Sequence, residues 1–320
     1  MKAVICAKYG TPDVLRFTEV PAPVPGEGQI RVRVRAAVVT PSDCSFRKAD
    51  PFIVRFVYGL ARPRNPILGV ELAGDVESVG RSVTAFKPGD RVFGVSPRTF
   101  GAHAEFNCLD ENGPLAIMPA NLTYEEAAGL SDGAPTALIF LRDIAAIRPG
   151  QKLLINGASG AVGAYAVQLA KHYGADVTGV CSTDNLALVQ SLGADKVIDY
   201  TRTDFTAGRQ TYDAIFDAVG KSSFPRCAGA LTPQGVYLST SLKPTMMVHA
   251  LRTAKREGKK ARFVAAGLRQ TRANFDFLRE LAEAGGIRPV IDRRYPLEQA
   301  AEAHRYVETG RKKGNVILTL

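Results

Sequence analysis

The 320-residue chain has no tryptophan, five cysteines, four histidines, and no apolar run near the roughly 18 residues that span a membrane. Each shortage removes a class of protein. Cys6, Cys44, Cys108, Cys181 and Cys227 are odd in number, scattered, and without a Cys-x-x-Cys pair. That pattern excludes a disulfide framework or a zinc cluster and leaves reduced thiols. His103, His172, His249 and His304 form no i, i+3 or i, i+4 pair, so no helix carries a two-histidine metal face. The opening MKAVICAKYG lacks the apolar core of a secretion signal, which makes a cytoplasmic location without a membrane partner the expectation. No internal repeat or low-complexity tract is present.

What the chain does have is an ordinary globular balance, 46% hydrophobic and 22% charged, at a length that suggests two domains. Lys and Arg outnumber Asp and Glu by 41 to 31, a net charge of +10, with five basic residues in 47–64 and six in 252–262. A nucleic-acid surface is one reading of this excess, but no aromatic-interleaved basic motif or zinc finger accompanies it. A solvated basic face that attracts a phosphorylated cofactor explains the excess more simply.

The most informative stretch is KLLINGASGAVGAYAVQLAK, residues 152–171. Lys152–Asn156 reads as a strand and Ala161–Tyr173 as a helix, and a second strand, Asp176–Val180, follows. The turn between the first strand and the helix reads Ala158-Ser159-Gly160-Ala161-Val162-Gly163, an A-x-G-x-x-G version of the dinucleotide fingerprint. Gly160 lets the main chain approach a pyrophosphate, and Gly163 lets the helix pack close to the strand. The helix start offers unpaired N–H groups and the positive end of its dipole to the anion. At the end of the second strand, where an NAD site usually holds a carboxylate, stands Cys181. Ser182 and Thr183 are available to donate to a 2′-phosphate, and Asp184 reads as the cap of a helix starting near Asn185. NADPH is therefore expected over NADH.

Before this unit the chain reads as strands and turns. Lys2–Ala7, Gln29–Val38, Gly74–Val79 and Arg91–Val95 are the clearest, and the alternation of Val and Arg in QIRVRVRAAV marks a strand with one wet face. Short strands at this spacing suggest a small barrel. From Thr123 helices and strands alternate: a helix over Tyr124–Asp143 interrupted near Gly133 and Pro135, then strands at Lys196–Tyr200, Tyr212–Ala218, Gly235–Ser239 and Ala261–Ala265. Helices at Ala273–Ala284 and Leu297–Glu308 and a strand at Asn315–Leu320 close the chain.

The segments VVTPSDCSFRK (38–48), ILGVELAGDVESVG (67–80), FKPGDRVFG (86–94), the fingerprint, SLGADKVIDY (191–200), FDAVG (216–220) and KKGNVIL (312–318) together resemble the medium-chain dehydrogenase/reductases. The likeness is to their zinc-free, quinone-oxidoreductase-like branch, which includes zeta-crystallin. It implies an α/β chain with a GroES-like β-barrel catalytic domain (1–122 and 285–320), an inserted Rossmann doubly wound domain (123–284), and a homodimer. Zinc enzymes of the superfamily carry C-x-x-D and G-H-E ligand motifs. Here those slots read Thr40-Pro41-Ser42-Asp43 and Gly69-Val70-Glu71, so Thr40 and Val70 replace two ligands and no metal is expected.

Without a Lewis acid to hold an alkoxide, the branch reduces conjugated acceptors with NADPH. The implied activity is hydride transfer to a quinone or α,β-unsaturated carbonyl, a small hydrophobic substrate. Alternatives are a non-catalytic cofactor-binding or nucleic-acid-associated protein, and an NAD(P)-dependent alcohol dehydrogenase. By position, the resemblance assigns hydrogen-bond donors at Thr40 and Ser45. It assigns cofactor contacts at Thr136, Ser159, Gly160, Ala161, Val162, Ser182, Thr183, Tyr200, Val219, Gly220 and Asn315. Arg47 matches the family's arginine and also reads as a solvated salt bridge, and Asp43 and Glu71 match positions that are more often structural. Leu186 replaces a lysine that several relatives use on the 2′-phosphate, and Arg202 is a substitute for it. Substrate walls are expected in the segment 46–66, with Phe52, Phe56, Val57, Tyr58 and Leu60, and in a loop over 241–256, with Met246, Met247 and Val248.

Overall fold

The computed structural model describes residues 1–241 and 243–320; Leu242 and the side chain of Val57 lie outside the described residues. The chain divides into two compact units, residues 1–132 with 271–320 and residues 133–270. Their boundaries fall at 132/133 and 270/271, where the sequence reading put them at 122/123 and 284/285. The helix Arg272–Glu283 accounts for one difference. Its fully buried Phe275 packs edge-on to Phe93, ring centroids 5.3 Å apart, in the barrel unit.

Residues 133–270 form a six-stranded parallel sheet. Across the sheet the strands run Lys196–Asp199, Asp176–Cys181, Lys152–Asn156, Tyr212–Asp217, Leu231–Ser239 and Lys260–Phe263. Numbered along the chain this is 3-2-1-4-5-6, the doubly wound order, and it reverses between Lys152–Asn156 and Tyr212–Asp217. Leu153, Leu154 and Ile155 are all fully buried, as expected for a parallel strand covered on both faces.

The other unit holds a seven-stranded sheet in the order Ile291–Pro296, Asn315–Thr319, Gln29–Val38, Glu71–Val79, Arg91–Val95, Leu115–Ile117, with Phe106–Asp110 also paired to Gln29–Val38. Gln29–Val38 is the organising strand. Its first half pairs with Phe106–Asp110, its last residues with Asn315–Thr319, and Glu71–Val79 pairs along most of its length. The alternation seen in the sequence has its expected outcome: Ile30, Val32 and Val34 enter the core. Arg31 and Arg33 pair with Glu77 and Arg35 with Asp75 on the outer face. Such exposed pairs add only about 0–1 kcal/mol each, so burial rather than charge holds the sheet.

Several elements differ from expectation. The helix from Tyr124 is not interrupted at Gly133 and Pro135 but runs to Leu138 and continues as a π-helix, Ile139–Ile144. The segments expected to be walls contain helices: Pro41–Lys48, Val54–Tyr58 and, in place of the loop over 241–256, Pro244–Ala254. The strand Leu15–Glu19 is exposed along nearly its whole length and so shows no alternation, and Leu115–Ile117 has only three residues. Among the described residues no helix is long and apolar enough to cross a membrane.

Candidate cofactor and catalytic residues

In the Rossmann unit the strand Lys152–Asn156 ends at the topological switch point, and the chain turns there into the helix Ala161–His172. The tight-turn glycine is Gly157, one residue before the fingerprint read from the sequence. Its φ of +81° is the left-handed conformation that glycine adopts without strain, and a Cβ there would lie 2.3 Å from Val219 Cγ1. Gly163 serves close packing, since a Cβ there would stand 2.1 Å from the Gly157 carbonyl oxygen. Gly160 is different. A Cβ at Gly160 would meet only the Gly157 oxygen at 3.4 Å, so the outer face of the loop is bare main chain with open space before it. Gly160 is also the helix N-cap, no side chain caps the first turn, and no acidic residue stands in it. A loop whose main chain is open at Gly160, at an uncapped helix start, fits a pyrophosphate.

Thr136, Val219 and Gly220 lie on elements that approach the loop. Gly133 lets its helix touch the start of Ala161–His172, because a Cβ there would lie 2.6 Å from the Ala161 carbonyl. Thr136, three residues on, lies on the same helical face. Val219 and Gly220 follow the strand Tyr212–Asp217 in a turn held by Asp217. That buried carboxylate accepts from Asn156 Nδ2 (2.9 Å), the Tyr237 hydroxyl (2.9 Å) and the Ser222 N–H (2.8 Å). Gly220 has φ +64°, and Lys243 Nζ donates to its carbonyl at 2.6 Å.

At the end of the strand Asp176–Cys181 the polar groups are already engaged. Asn185 Nδ2 donates to Ser182 Oγ at 3.1 Å and to Ser159 Oγ at 3.2 Å, tying this corner to the phosphate loop. Thr183 donates its proton to Asp199 Oδ2 at 2.5 Å. Asp184 caps nothing. It lies within a 3-10 turn, Thr183–Asn185, and the helix that follows, Leu186–Ser191, has no side-chain cap. Tyr200 has left the strand, and its ring is exposed.

Thr40, Ser45 and Asn315 belong to the barrel unit. Thr40 is buried and caps the helix Pro41–Lys48 in a reciprocal box with Asp43. Its hydroxyl donates to Asp43 Oδ2 at 2.7 Å and accepts from the Asp43 N–H at 3.1 Å, so its one proton is spent. Asp43 Oδ1 also accepts from the Gly69 N–H. Ser45 is half-buried, and among the described residues its hydroxyl meets no protein partner. Asn315 is fully buried and donates through Nδ2 to the Val290 carbonyl at 3.0 Å.

Arg47 is not solvated. Fully buried, it binds Glu308 and the Gly10 carbonyl and reaches His304 Nδ1 at 3.4 Å, a staple between two helices and a turn. Burial pushes the His304 imidazole well below its usual range, with His103 and Arg47 adding to the shift. Burial likewise lifts the Glu71 carboxyl well above its usual range, helped by Asp132 and Asp43. Of the expected wall residues, Tyr58 and Met246 are core: Tyr58 packs with Phe46 and Phe100. Phe52, Phe56, Leu60, Met247 and Val248 are exposed, and the side chain of Val57 lies outside the described residues.

Comparison with known proteins agrees with both units. Residues 26–129 match the family model described as "alcohol dehydrogenase GroES-like domain", and residues 192–318 match "zinc-binding dehydrogenase". The NADPH-dependent alkenal/one oxidoreductase of Arabidopsis thaliana chloroplasts is 31% identical, over 99% of this chain and 79% of its own. A quinone oxidoreductase of Sus scrofa is 29% identical over 100% of this chain and 98% of its own. The solved quinone oxidoreductase of Coxiella burnetii superposes with a TM-score of 0.90 at 27% identity, over 100% of this chain and 99% of that one. A relative above 30% identity aligned over nearly the whole length makes this chain a member of the medium-chain dehydrogenase/reductases, in their zinc-free, quinone-oxidoreductase-like branch.

Proposed function

We propose that the chain is an NADPH-dependent reductase of quinones or α,β-unsaturated carbonyls. The observation that carries this reading is the open Gly160 loop at the sheet's switch point, in a chain whose relatives are named for those acceptors. When bound, the nicotinamide supplies hydride from its C4 to the electron-poor carbon of the acceptor. The chain's part is to hold and orient. Gly157 turns the main chain, Ser159, Gly160, Ala161 and Val162 meet the pyrophosphate, and Thr136, Val219 and Gly220 flank it. Ser182, Thr183 and Tyr200 take the adenosine ribose. In the barrel unit Ser45 is the donor to the developing enolate or hydroquinone oxygen, since among the described residues its hydroxyl meets no protein partner. Thr40 acts by fixing the helix that carries Ser45, because its own proton lies on Asp43. Asn315 anchors the last strand to Val290.

A cytoplasmic homodimer completes the proposal. The strand Lys260–Phe263 lies at the edge of its sheet, and an edge strand is a template for pairing with a second copy. The direct test follows NADPH absorbance with a panel of quinones and alkenals, before and after chelation. Acceptor-dependent oxidation that survives the chelator is expected. NADPH that binds but is consumed with no acceptor would overturn the assignment.

A further inference from the structure

We propose that Asp199 and Arg202 decide how this chain discriminates NADPH from NADH, Asp199 by fixing Thr183 as an acceptor toward a ribose 2′-hydroxyl and Arg202 by meeting a 2′-phosphate. This rests on reading the Rossmann unit as a nicotinamide-dinucleotide site and names the residues that govern its adenosine end.

The strand that ends at Cys181 carries no carboxylate at its tip, yet the neighbouring strand delivers one to the same place. In the parallel register Asp199 lies directly beside Cys181, and the next N–H, that of Tyr200, donates to the Cys181 carbonyl at 3.1 Å. Both oxygens of the Asp199 carboxylate accept hydrogen bonds. Oδ1 accepts from the Thr201 N–H at 2.9 Å and the Thr201 hydroxyl at 2.7 Å, and Oδ2 accepts from the Thr183 hydroxyl at 2.5 Å. These bonds hold its carboxyl below the usual range, so it is ionised at neutral pH and can only accept.

The consequence falls on Thr183. A hydroxyl has one proton, and with the Thr183 proton on Asp199 and the Thr201 hydroxyl, 3.3 Å away, giving its own proton to the same carboxylate, the Thr183 oxygen offers only lone pairs. A ribose 2′-hydroxyl can donate to it; a 2′-phosphate, which also needs donors, cannot use it. Ser182 is the opposite case. Its oxygen accepts from Asn185 Nδ2, which leaves its proton free to give to either group. Opposing Asp199 is Arg202, whose side chain is 75% exposed and whose Nε stands 3.5 Å from Asp199 Oδ2. Its main-chain N–H is tied to the Asp199 carbonyl at 3.1 Å, and among the described residues only its Nε approaches a partner, which leaves most of the guanidinium donors facing solvent. Leu186 brings no charge. A 2′-phosphate therefore gains Arg202 and Ser182 but faces a carboxylate and an acceptor hydroxyl, while a 2′-hydroxyl gains Thr183 and Ser182. The expected result is a narrow preference.

Calorimetric titration of NADPH, NADH, 2′,5′-ADP and 5′-ADP into the full chain tests this without turnover. Arg202→Ala should weaken NADPH and 2′,5′-ADP by about tenfold or more and leave NADH and 5′-ADP unchanged, the scale of one charged hydrogen bond. Asp199→Asn should move the NADPH-to-NADH affinity ratio about tenfold toward NADPH. Asp199 also holds its own turn, so Thr183→Val gives an independent reading: it should weaken NADH alone, with Asp199 untouched. If both coenzymes bind and the ratio stays put in all three variants, the inference is wrong and the proposed function stands. If the unaltered chain binds neither coenzyme, the proposed function fails and the inference with it.

Discussion

A single hydrogen atom in place of a side chain distinguishes Gly160 from its neighbours in the phosphate loop. A Cβ at that position would enter open space, so a side chain there costs the fold little and costs the loop its bare surface. Gly160→Asp should therefore leave the melting temperature nearly unchanged while cutting NADPH affinity at least about 100-fold, through a carboxylate set against a pyrophosphate. Affinity retained in a folded variant would remove the loop from the site. Ser45→Ala should lower kcat about 100-fold, the usual effect of losing one donor to a developing oxyanion, with NADPH affinity intact. An unchanged kcat would leave water as the donor. Both residues are expectations drawn from the sequence, Gly160 from its motif and Ser45 from the family resemblance. The burial of Arg47 was not legible there, because it depends on Glu308 and His304, more than 250 positions away.

Among elements, the strand–turn–helix of 152–172 was the most legible, because a continuous apolar strand and glycine spacing are local signals. The strands Gln29–Val38, Arg91–Val95 and Lys152–Asn156 fall where the sequence put them, each with a clear period or a flanking turn. The helix Pro244–Ala254 was read as a loop since its apolar residues are mostly exposed rather than ranged along a buried face. Gly163 gives a test at this scale. The atom 2.1 Å from its would-be Cβ is a main-chain carbonyl oxygen, which cannot rotate away, so Gly163→Ala must push the helix off the strand. The expected cost is about 1–3 kcal/mol, seen as a lowered denaturation midpoint together with weaker coenzyme binding. A stability equal to the parent would mean that the helix start can shift freely.

For the molecule as a whole, two buried groups in the barrel unit set opposite limits on pH. His304 is held neutral, with a folded pKa well below 6.5, so stability that is full above pH 6.5 declines as the unfolded chain takes up its proton below that value. Glu71 is held protonated, with a folded pKa well above 4.5. Its contribution is full below pH 4.5 and declines as the unfolded chain gives up that proton. Urea midpoints against pH should carry an acid limb from His304 that begins below pH 6.5 and an alkaline limb from Glu71 that begins above pH 4.5, each up to about 1.4 kcal/mol per unit. His304→Gln should flatten the acid limb and Glu71→Gln the alkaline one. A profile unchanged by both would place the titration elsewhere.

By itself the sequence determined the fold class, the switch-point loop, and the loss of two zinc-ligand positions at Thr40 and Val70. The loop is written in neighbouring residues whose spacing carries its own physical meaning, and the two ligand positions are read from the family resemblance. Only the tertiary structure decided where the protons and charges lie. It spent the Thr40 proton on Asp43, brought Asp199 beside the vacant Cys181 position, and buried Arg47 with its partners. Those outcomes depend on strand register and on contacts between distant segments, and a parallel register leaves no local mark in the chain that obeys it.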